Sequence, residues 1–180
     1  MSYNIDANLL MTTMNFYSNL GYKPCKCPTL VDEDVISHTL PENRKPLHHT
    51  DGKFYVGSAE QSFLQKIKDG EMLYDKMMFI TPCQRDEDVL DESHLEVFLK
   101  VELINLASPV LKDVESFYKS IGYDISIVKT SCGYDIELNN VEIGSFGSNS
   151  YLGVNYFYGT GIAFPRIEYA MEVRDDCRSA

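Results

Sequence analysis

A chain of 180 residues with 44% hydrophobic and 24% charged residues has the length and composition of one globular domain with its own core. It contains no run of about 18 apolar residues, so no transmembrane helix is predicted. Its N-terminus lacks the basic and apolar regions of a signal peptide. The formal net charge of -11 disfavours nonspecific binding to nucleic acid, because neutralising phosphates requires Lys and Arg.

The cysteines are odd in number and have no regular spacing: Cys25, Cys27, Cys83, Cys132 and Cys177. This pattern argues against a disulfide framework. The stretch "CKC" is a CxC pattern rather than the CxxC of a zinc knuckle, and no second pair follows it. Reduced thiols in a cytoplasmic protein are therefore expected.

The first half of the chain alternates helical and irregular patterns. Apolar spacing predicts an amphipathic helix over residues 4–20, ended by Gly21. The two prolines of "YKPCKCPTL" allow an edge or interface strand at best. The polar run "DEDVISHTLPENRKPLHHTDG" predicts a loop, and "KFYVG" a short strand. A capped helix is expected from Ser58 to near Gly70.

The second half is dominated by strands. "KMMFITPCQRDED" and "HLEVFLKVELIN" predict two strands joined by a short acidic turn, and "PVLKDVESFYKSIGY" predicts an amphipathic helix. "DISIVKT", "GYDIEL", "NVEIGSFG" and "GVNYFYGTGIAF" follow as strands, and "PRIEYAMEV" as a short helix. The predicted fold class is α+β, a mainly antiparallel sheet flanked by helices, in one domain over residues 1–180.

The second strand of the predicted hairpin has two unlike faces. With a period of two, one face is apolar and is predicted to be continuous core: Leu95, Val97, Leu99, Val101 and Leu103. The opposite face carries Phe98 among three charged residues, Glu96, Lys100 and Glu102. A ring near the strand-borne Arg85 suits a nucleotide, because the ring stacks on a base and the guanidinium binds a phosphate with two donors. The alternative is a solvated hairpin with an exposed aromatic residue. Parity leaves open which face of the first strand matches which face of the second.

Three stretches, in order, resemble the motifs of class II aminoacyl-tRNA synthetases. "QRDEDVLDESHLEVF" resembles motif 2, a hairpin with an arginine, a glutamate, a variable loop, a histidine or arginine, and a phenylalanine. "LGYKPCKCPTL" resembles motif 1, with Pro28 as the proline of the dimer interface. "GTGIAFPRIEYAM" resembles motif 3 through its glycines and Arg166. It departs from that motif at Ala163, where a third glycine is usual, and at Pro165.

Two further stretches match the same family. "YVGSAEQSFL" is similar to the loop that holds the substrate amino group, with Ser58 and Glu60 in the matching positions. "YDIELNNVEIGS" resembles the strand pair that binds magnesium in the subclass of the aspartyl, asparaginyl and lysyl enzymes. Asp135 and Glu142 would be its ligands, with Glu137 as a possible substitute.

The resemblance implies a class II synthetase and biotin ligase-like core that activates a carboxylate with ATP and Mg²⁺. It makes Arg85 and Arg166 the catalytic residues. Arg85 would hold the α-phosphate and the attacking carboxylate, and Arg166 would cover the adenine and reach the γ-phosphate. The remaining implied contacts are Glu87 with the adenine amino group, Phe98 with the adenine face, His94 with the outer phosphates, Asp135 and Glu142 with Mg²⁺, and Ser58 and Glu60 with an ammonium group.

The same residues have plainer interpretations. Arginines at these positions also form surface ion pairs, Asp135 and Glu142 also suit a solvated turn, and an acid such as Glu60 also favours the first turn of its helix. The run "GSFGSNSY", with Ser145, suits a polar substrate of modest size. Asn149 stands where the aspartyl pattern has an arginine, which weakens an assignment to aspartate.

The expected protein is a free-standing paralogue of the synthetase core. Only 14 residues follow Arg166, so no anticodon-binding domain is expected, and tRNA is not an expected partner. A homodimer through motif 1 around Pro28 is predicted, and no membrane partner. The expected activity is adenylation of an amino acid or similar carboxylate, passed to an acceptor other than a standard tRNA. The alternative is an inactive paralogue that binds amino acid or nucleotide as a regulatory subunit.

Overall fold

A computed structural model describes residues 5–41, 44–87, 90, 95–130 and 133–176. The described residues form five helices: α1 (Ala7–Asn19), α2 (Glu33–Thr39), α3 (Ala59–Lys68), α4 (Leu111–Ser120) and α5 (Arg166–Asp176). They also form nine strands: β1 (Lys23–Cys25), β2 (Leu30–Val31), β3 (Phe54–Tyr55), β4 (Lys76–Gln84), β5 (Val97–Asn105), β6 (Ser126–Lys129), β7 (Tyr134–Leu138), β8 (Val141–Tyr151) and β9 (Val154–Phe164).

Seven of these strands form one sheet in the order β1-β4-β5-β9-β8-β7-β6, and β2 pairs with β3 in a small second sheet. β1 runs parallel to β4, and the other neighbours in the large sheet are antiparallel. The predicted α+β class with a mainly antiparallel sheet is therefore confirmed. None of the described helices has the length and hydrophobicity that a membrane span requires.

Helices cover both faces of the large sheet. On one face α1, α4 and α5 pack through residues such as Tyr17, Phe117 and Ile167. On the other face α2 and α3 pack through Ile36 and Phe63. β4 shows the division directly, because its neighbouring residues Met77 and Met78 lie in different clusters. Most of the candidate site lies on the face that α2 and α3 cover, and α5 contributes Arg166 to it from the end of β9.

The prediction of one loop over residues 32–52 is wrong in part. Residues Glu33–Thr39 form α2, and its Val35 and Ile36 are fully buried against α3. Because these are the only apolar residues within α2, the sequence shows no helical periodicity there. The predicted helix after Ser58 is confirmed, since the Ser58 and Gln61 side chains form a reciprocal capping box at the start of α3.

The prediction for the two faces of β5 needs correction. The alternative of a solvated hairpin is wrong for the charged face, where Phe98 is at 6%, Lys100 at 7% and Glu102 at 0% exposure. The face expected to be continuous core is interrupted at Val97, which is 40% exposed between the buried Leu95 and the partly buried Leu99. The alternation itself is right, but β5 lies third in a seven-stranded sheet with helices on both sides, so both of its faces are covered.

Two glycines allow close packing around β9. A side chain at Gly161 would place its Cβ 2.8 Å from the Tyr17 ring, whose hydroxyl donates to the Gly161 carbonyl at 3.1 Å. A Cβ at Gly144 on β8 would overlap the Thr160 side chain. The Thr160 hydroxyl accepts from the Ser145 N–H at 3.2 Å. The glycines thus let α1 and β8 approach β9 where it passes beneath the site.

Candidate active site

Arg85 follows β4 directly and is oriented by three contacts. Its backbone N–H donates to the Glu96 carbonyl at 2.9 Å, so the hairpin pairing extends past the strand ends. Its Nε donates to the Gly57 carbonyl at 2.8 Å, and its guanidinium carbon lies 4.9 Å from the Phe98 ring centroid. The register pairs Cys83 of β4 with Phe98 of β5. The face of the first strand that carries Cys83 and Arg85 is therefore the one that lies beside Phe98, a match that parity alone left open. The guanidinium is held over Phe98 through its Nε, and its Nη groups carry further N–H donors.

Two cavities meet at Arg85. We call the first, of about 320 Å³, the inner cavity; its wall includes Ser58, Glu60, Lys100, Ser145 and Tyr158. We call the second, of about 430 Å³, the outer cavity; its wall includes Glu87, Glu142, Arg166 and Tyr169. Arg44 and Arg85 line both. An arginine at this junction has access to a ligand in either cavity.

Arg166 begins α5, immediately after the cis peptide bond between Phe164 and Pro165. Its guanidinium carbon lies 6.0 Å from the Phe98 ring centroid, and its Nη1 lies 3.3 Å from Glu142 Oε1. A flat base between ring and guanidinium needs about 7 Å, twice the optimal carbon contact distance. A small outward shift of Arg166 would therefore admit a base.

Glu87 is engaged by an arginine that sequence patterns did not single out. Its Oε2 lies 2.5 Å from Nη1 of Arg44, and its side chain is only 4% exposed. The same Nη1 lies 3.5 Å from the Asp86 carbonyl. Arg44 belongs to the connection between α2 and β3, where a basic residue in a polar run gives no periodic or motif signal.

The predicted magnesium ligands lie on neighbouring strands. Asp135 of β7 pairs with Ser145, and Glu137 pairs with Glu142 across the same two strands. Burial, followed by the charges of Glu142 and Glu137, raises the pKa of Asp135. Repulsion among these carboxylates would be relieved by a cation, so the donors fit Mg²⁺. No group of three candidate ligands is found among the described residues, so the protein would supply at most two carboxylates to the ion.

Glu60 lies in the wall of the inner cavity at 6% exposure. The Tyr156 hydroxyl donates to its Oε1 at 2.6 Å. Burial raises the pKa of Glu60 to about 7, against the opposing hydrogen bond from Tyr156, and the charge of Glu102 raises it further. Because Glu60 is close to half ionised at neutral pH, a cation bound beside it would drive off its proton.

Lys100 and Glu102 lie under the inner cavity as a buried ion pair. Lys100 Nζ lies 2.5 Å from Glu102 Oε2 and donates to the Ser58 hydroxyl at 3.2 Å. Glu102 is fully buried, and neither of its oxygens accepts a well-oriented hydrogen bond within the part of the chain that the structure describes, so the ion pair is its main polar contact. Burial raises the pKa of Glu102, while Lys100 lowers it. The pair gives the inner cavity a charged floor.

Replacing Glu60 with glutamine is expected to remove a pH-dependent loss of stability. The pKa of Glu60 rises from 4.5 to about 7 on folding, so its stabilisation is complete below pH 4.5 and is lost as pH rises through 7. The loss amounts to about 3 kcal/mol, because one pKa unit corresponds to about 1.36 kcal/mol. Denaturant unfolding at pH 4 and pH 8 measures it. The difference between Glu60→Gln and the native chain should grow with pH, and a constant difference would contradict the prediction.

Most predicted site residues gather at the two cavities. Glu87, Glu142, Arg166 and Arg85 surround the outer one, and Ser58, Glu60 and Ser145 line the inner one. His94 lies outside the described residues, as do Cys132 and Cys177. Pro28 lies between β1 and β2, where its carbonyl accepts from the Ser62 hydroxyl at 2.7 Å.

The chain is similar to solved structures of pyrrolysyl-tRNA synthetase. The crystal structure of that enzyme from Desulfitobacterium hafniense superposes with a TM-score of 0.69 and 16% identity, over 94% of this chain and 69% of that one. This chain has the fold of a class II synthetase catalytic domain. A second structure of the pyrrolysyl enzyme from the same organism gives a TM-score of 0.70 and 15% identity, over 94% of this chain and 66% of that one.

The chain thus spans about two thirds of the length of these synthetase structures, and the fold predicted from the motifs is confirmed. Comparison with models of known protein families finds no match. Comparison with curated proteins finds none either.

Proposed function

We propose that the protein activates a carboxylate with ATP, forming an acyl adenylate and pyrophosphate. One observation carries this proposal: Arg85 lines both the inner and the outer cavity. Adenylation joins a carboxylate oxygen to the α-phosphorus, so it needs a cation where the two substrates meet. Arg85 is the cation whose guanidinium is already oriented at that junction, by Gly57 and Phe98.

The outer cavity would hold the nucleotide. Phe98 lies behind the cavity wall, 6.0 Å from the Arg166 guanidinium, and would enclose the adenine with Arg166 once that arginine moves outward. Glu87 would accept from the adenine amino group. Glu142, with Asp135, would hold Mg²⁺, which neutralises phosphate charge when bound. His94 would meet the outer phosphates. Because a carboxylate is already ionised at pH 7, these residues would act by positioning and charge stabilisation, without a general base.

The inner cavity would hold the carboxylate substrate. Glu60 would bind an ammonium group, and its pKa of about 7 means that it would lose its proton as that group binds. Ser58 and Ser145 would offer hydroxyl groups to a polar substrate. An amino acid meets these requirements, with its carboxylate at Arg85 and its ammonium at Glu60.

The acceptor of the acyl group is proposed to be something other than a standard tRNA. The net charge of -11 supports this, since binding RNA requires clustered basic residues. A homodimer around Pro28 is part of the same proposal. Sedimentation should give twice the mass of the 20.5 kDa chain, and a clean monomer would refute the dimer.

A regulatory paralogue that binds ligands without catalysis is the second candidate. The pairing of Arg44 with Glu87 favours it, because the residue proposed to read adenine is covered by another side chain. Such a protein would bind ATP and an amino acid but would form no adenylate.

ATP–pyrophosphate exchange separates the two candidates. The assay would be run with each amino acid in turn, with Mg²⁺ present. Exchange stimulated by one amino acid supports adenylation, whereas ATP binding without exchange for any of them supports the regulatory role. Absence of ATP binding would refute both.

A further inference from the structure

Arg44 occupies a position in the site that no motif assigned to it. Like Arg85, it lines both cavities. Its guanidinium makes two contacts with the motif 2 hairpin, at Glu87 and at the Asp86 carbonyl. Its side chain is 35% exposed, so it covers Glu87 from the open side. A nucleotide that enters the outer cavity must meet this guanidinium.

Two of the arginines that line the outer cavity form ion pairs with acidic residues of the same wall. Of its three arginines, Arg44 pairs with Glu87 and Arg166 with Glu142. Both of these acids are the groups proposed above to bind parts of the nucleotide complex, the adenine amino group and Mg²⁺. Binding of that complex would therefore displace Arg44 from Glu87 and Arg166 from Glu142. A guanidinium that loses its carboxylate in a cavity is best satisfied by a phosphate, which it binds with two donors.

We propose that Arg44 is a phosphate-binding residue that exchanges Glu87 for the phosphates of the bound nucleotide. The inference rests on the nucleotide site proposed above and adds a residue to it. In the exchange no covalent bond changes. The Arg44–Glu87 ion pair opens, Glu87 becomes available to the base, and the Arg44 guanidinium donates to phosphate oxygens.

The exchange would also affect the inner cavity. Residues 44–47, which we call the strap, form part of the inner wall. One end of the strap is fixed, because the Tyr55 N–H donates to the Leu47 carbonyl at 3.0 Å. The other end is held twice, because the Arg44 N–H donates to the Pro41 carbonyl at 3.0 Å and the Arg44 side chain contacts Glu87. The backbone of the strap can therefore stay in place while the Arg44 guanidinium changes partner. Because the Arg44 side chain itself lines the inner cavity, nucleotide binding would still alter the wall of the pocket for the carboxylate.

Tripolyphosphate is a suitable probe, because it carries the phosphates and no base for Glu87 to read. Its binding to the full chain would be measured by calorimetry for the native protein, Arg44→Gln, Glu87→Gln and the double variant. Arg44→Gln is expected to weaken binding about tenfold, the effect of about 1.4 kcal/mol. Glu87→Gln is expected to tighten it, because Arg44 is released. The double variant should bind like Arg44→Gln alone.

Lys119→Gln is the matched control. It removes one positive charge from an exposed position on α4, on the opposite face of the sheet. Its binding should equal that of the native protein. An Arg44→Gln variant that also binds like the native protein would overturn the proposal. A gain from Glu87→Gln that persists in the double variant would overturn it too, since the gain would then come from charge alone.

The outcomes separate this inference from the function it rests on. If tripolyphosphate binding depends on Arg44 but no carboxylate supports pyrophosphate exchange, adenylation fails and the phosphate role of Arg44 stands. If exchange occurs and Arg44→Gln leaves phosphate binding unchanged, only the role of Arg44 fails. If the native protein binds neither tripolyphosphate nor ATP, both are refuted.

Discussion

Replacing Arg85 with alanine is expected to lower the rate of ATP–pyrophosphate exchange by about 10²–10³-fold. Arg85 lines both the inner and the outer cavity, so in the proposed reaction it would stabilise charge on both the α-phosphate and the attacking carboxylate. Because that charge is shared between two substrates only as they react, the loss should fall mainly on kcat. Exchange at saturating ATP and carboxylate measures it.

The fold should survive this substitution. The hairpin contact of Arg85 is made by its backbone N–H with the Glu96 carbonyl, which alanine keeps. Alanine removes the hydrogen bond from the half-buried side chain to the Gly57 carbonyl and the packing of the guanidinium on Phe98. Arg85→Lys is the informative partner variant, because it keeps the charge and loses the planar fork. It should recover little activity, and near-native exchange in either variant would remove Arg85 from the mechanism.

The correctly predicted helices and strands are those with a strong local signal in the sequence. The amphipathic spacing of α1, the Ser58 cap of α3 and the alternation in β5 are local signals, and each describes a real element. Gly159 and Gly161 likewise lie within β9 and Arg166 begins α5, which is the strand-to-helix arrangement that the motif implied. Local signals of this kind fix element type and side-chain parity, and hence the main features of the fold.

What surrounds an element is not a local signal, and this explains the errors. Parity placed Lys100 and Glu102 on one face of β5, yet only the position of the strand in the sheet buries that face. Val35 and Ile36 are the buried residues of the short helix α2, whose sequence is otherwise polar. They are buried because α3 packs beside them, which the local sequence does not show. Arg44 reaches Glu87 from 43 residues away. The charged floor of the inner cavity and the Arg44 contact are both tertiary, so no pattern along the chain predicts them.

The second large effect is expected at the buried ion pair. Lys100→Met should lower the free energy of unfolding by about 3–5 kcal/mol, because it leaves Glu102 as an uncompensated charge at a fully buried position. Neither Glu102 oxygen accepts a well-oriented hydrogen bond within the described residues, and after Lys100 only the weaker influence of Arg85 favours its charged form. Urea unfolding at pH 7 measures the loss.

Lys66→Met is the matched control for this loss. Lys66 is as buried as Lys100 and is also paired with a glutamate, but that partner, Glu71, is 47% exposed in its side chain. Water can solvate Glu71 once the lysine is gone, so the cost should stay near the roughly 0–1 kcal/mol of a surface pair. Equal losses in the two variants would show that removing a buried lysine, rather than stranding a buried acid, is what destabilises the protein.

The Lys100→Met loss should depend on pH and be reversible by a second substitution. The pKa of Glu102 is raised above 4.5 by burial, and removing Lys100, which lowers it, raises it further. A raised pKa in the folded state means that stability is retained below pH 4.5 and lost as pH rises, so the deficit should shrink in acid. Adding Glu102→Leu removes the stranded carboxylate, and the double variant should regain most of the lost stability. A double variant as unstable as Lys100→Met would mean that Lys100 acts through its contact with Ser58 instead, and that the charged floor contributes to the α3 cap rather than to the ion pair.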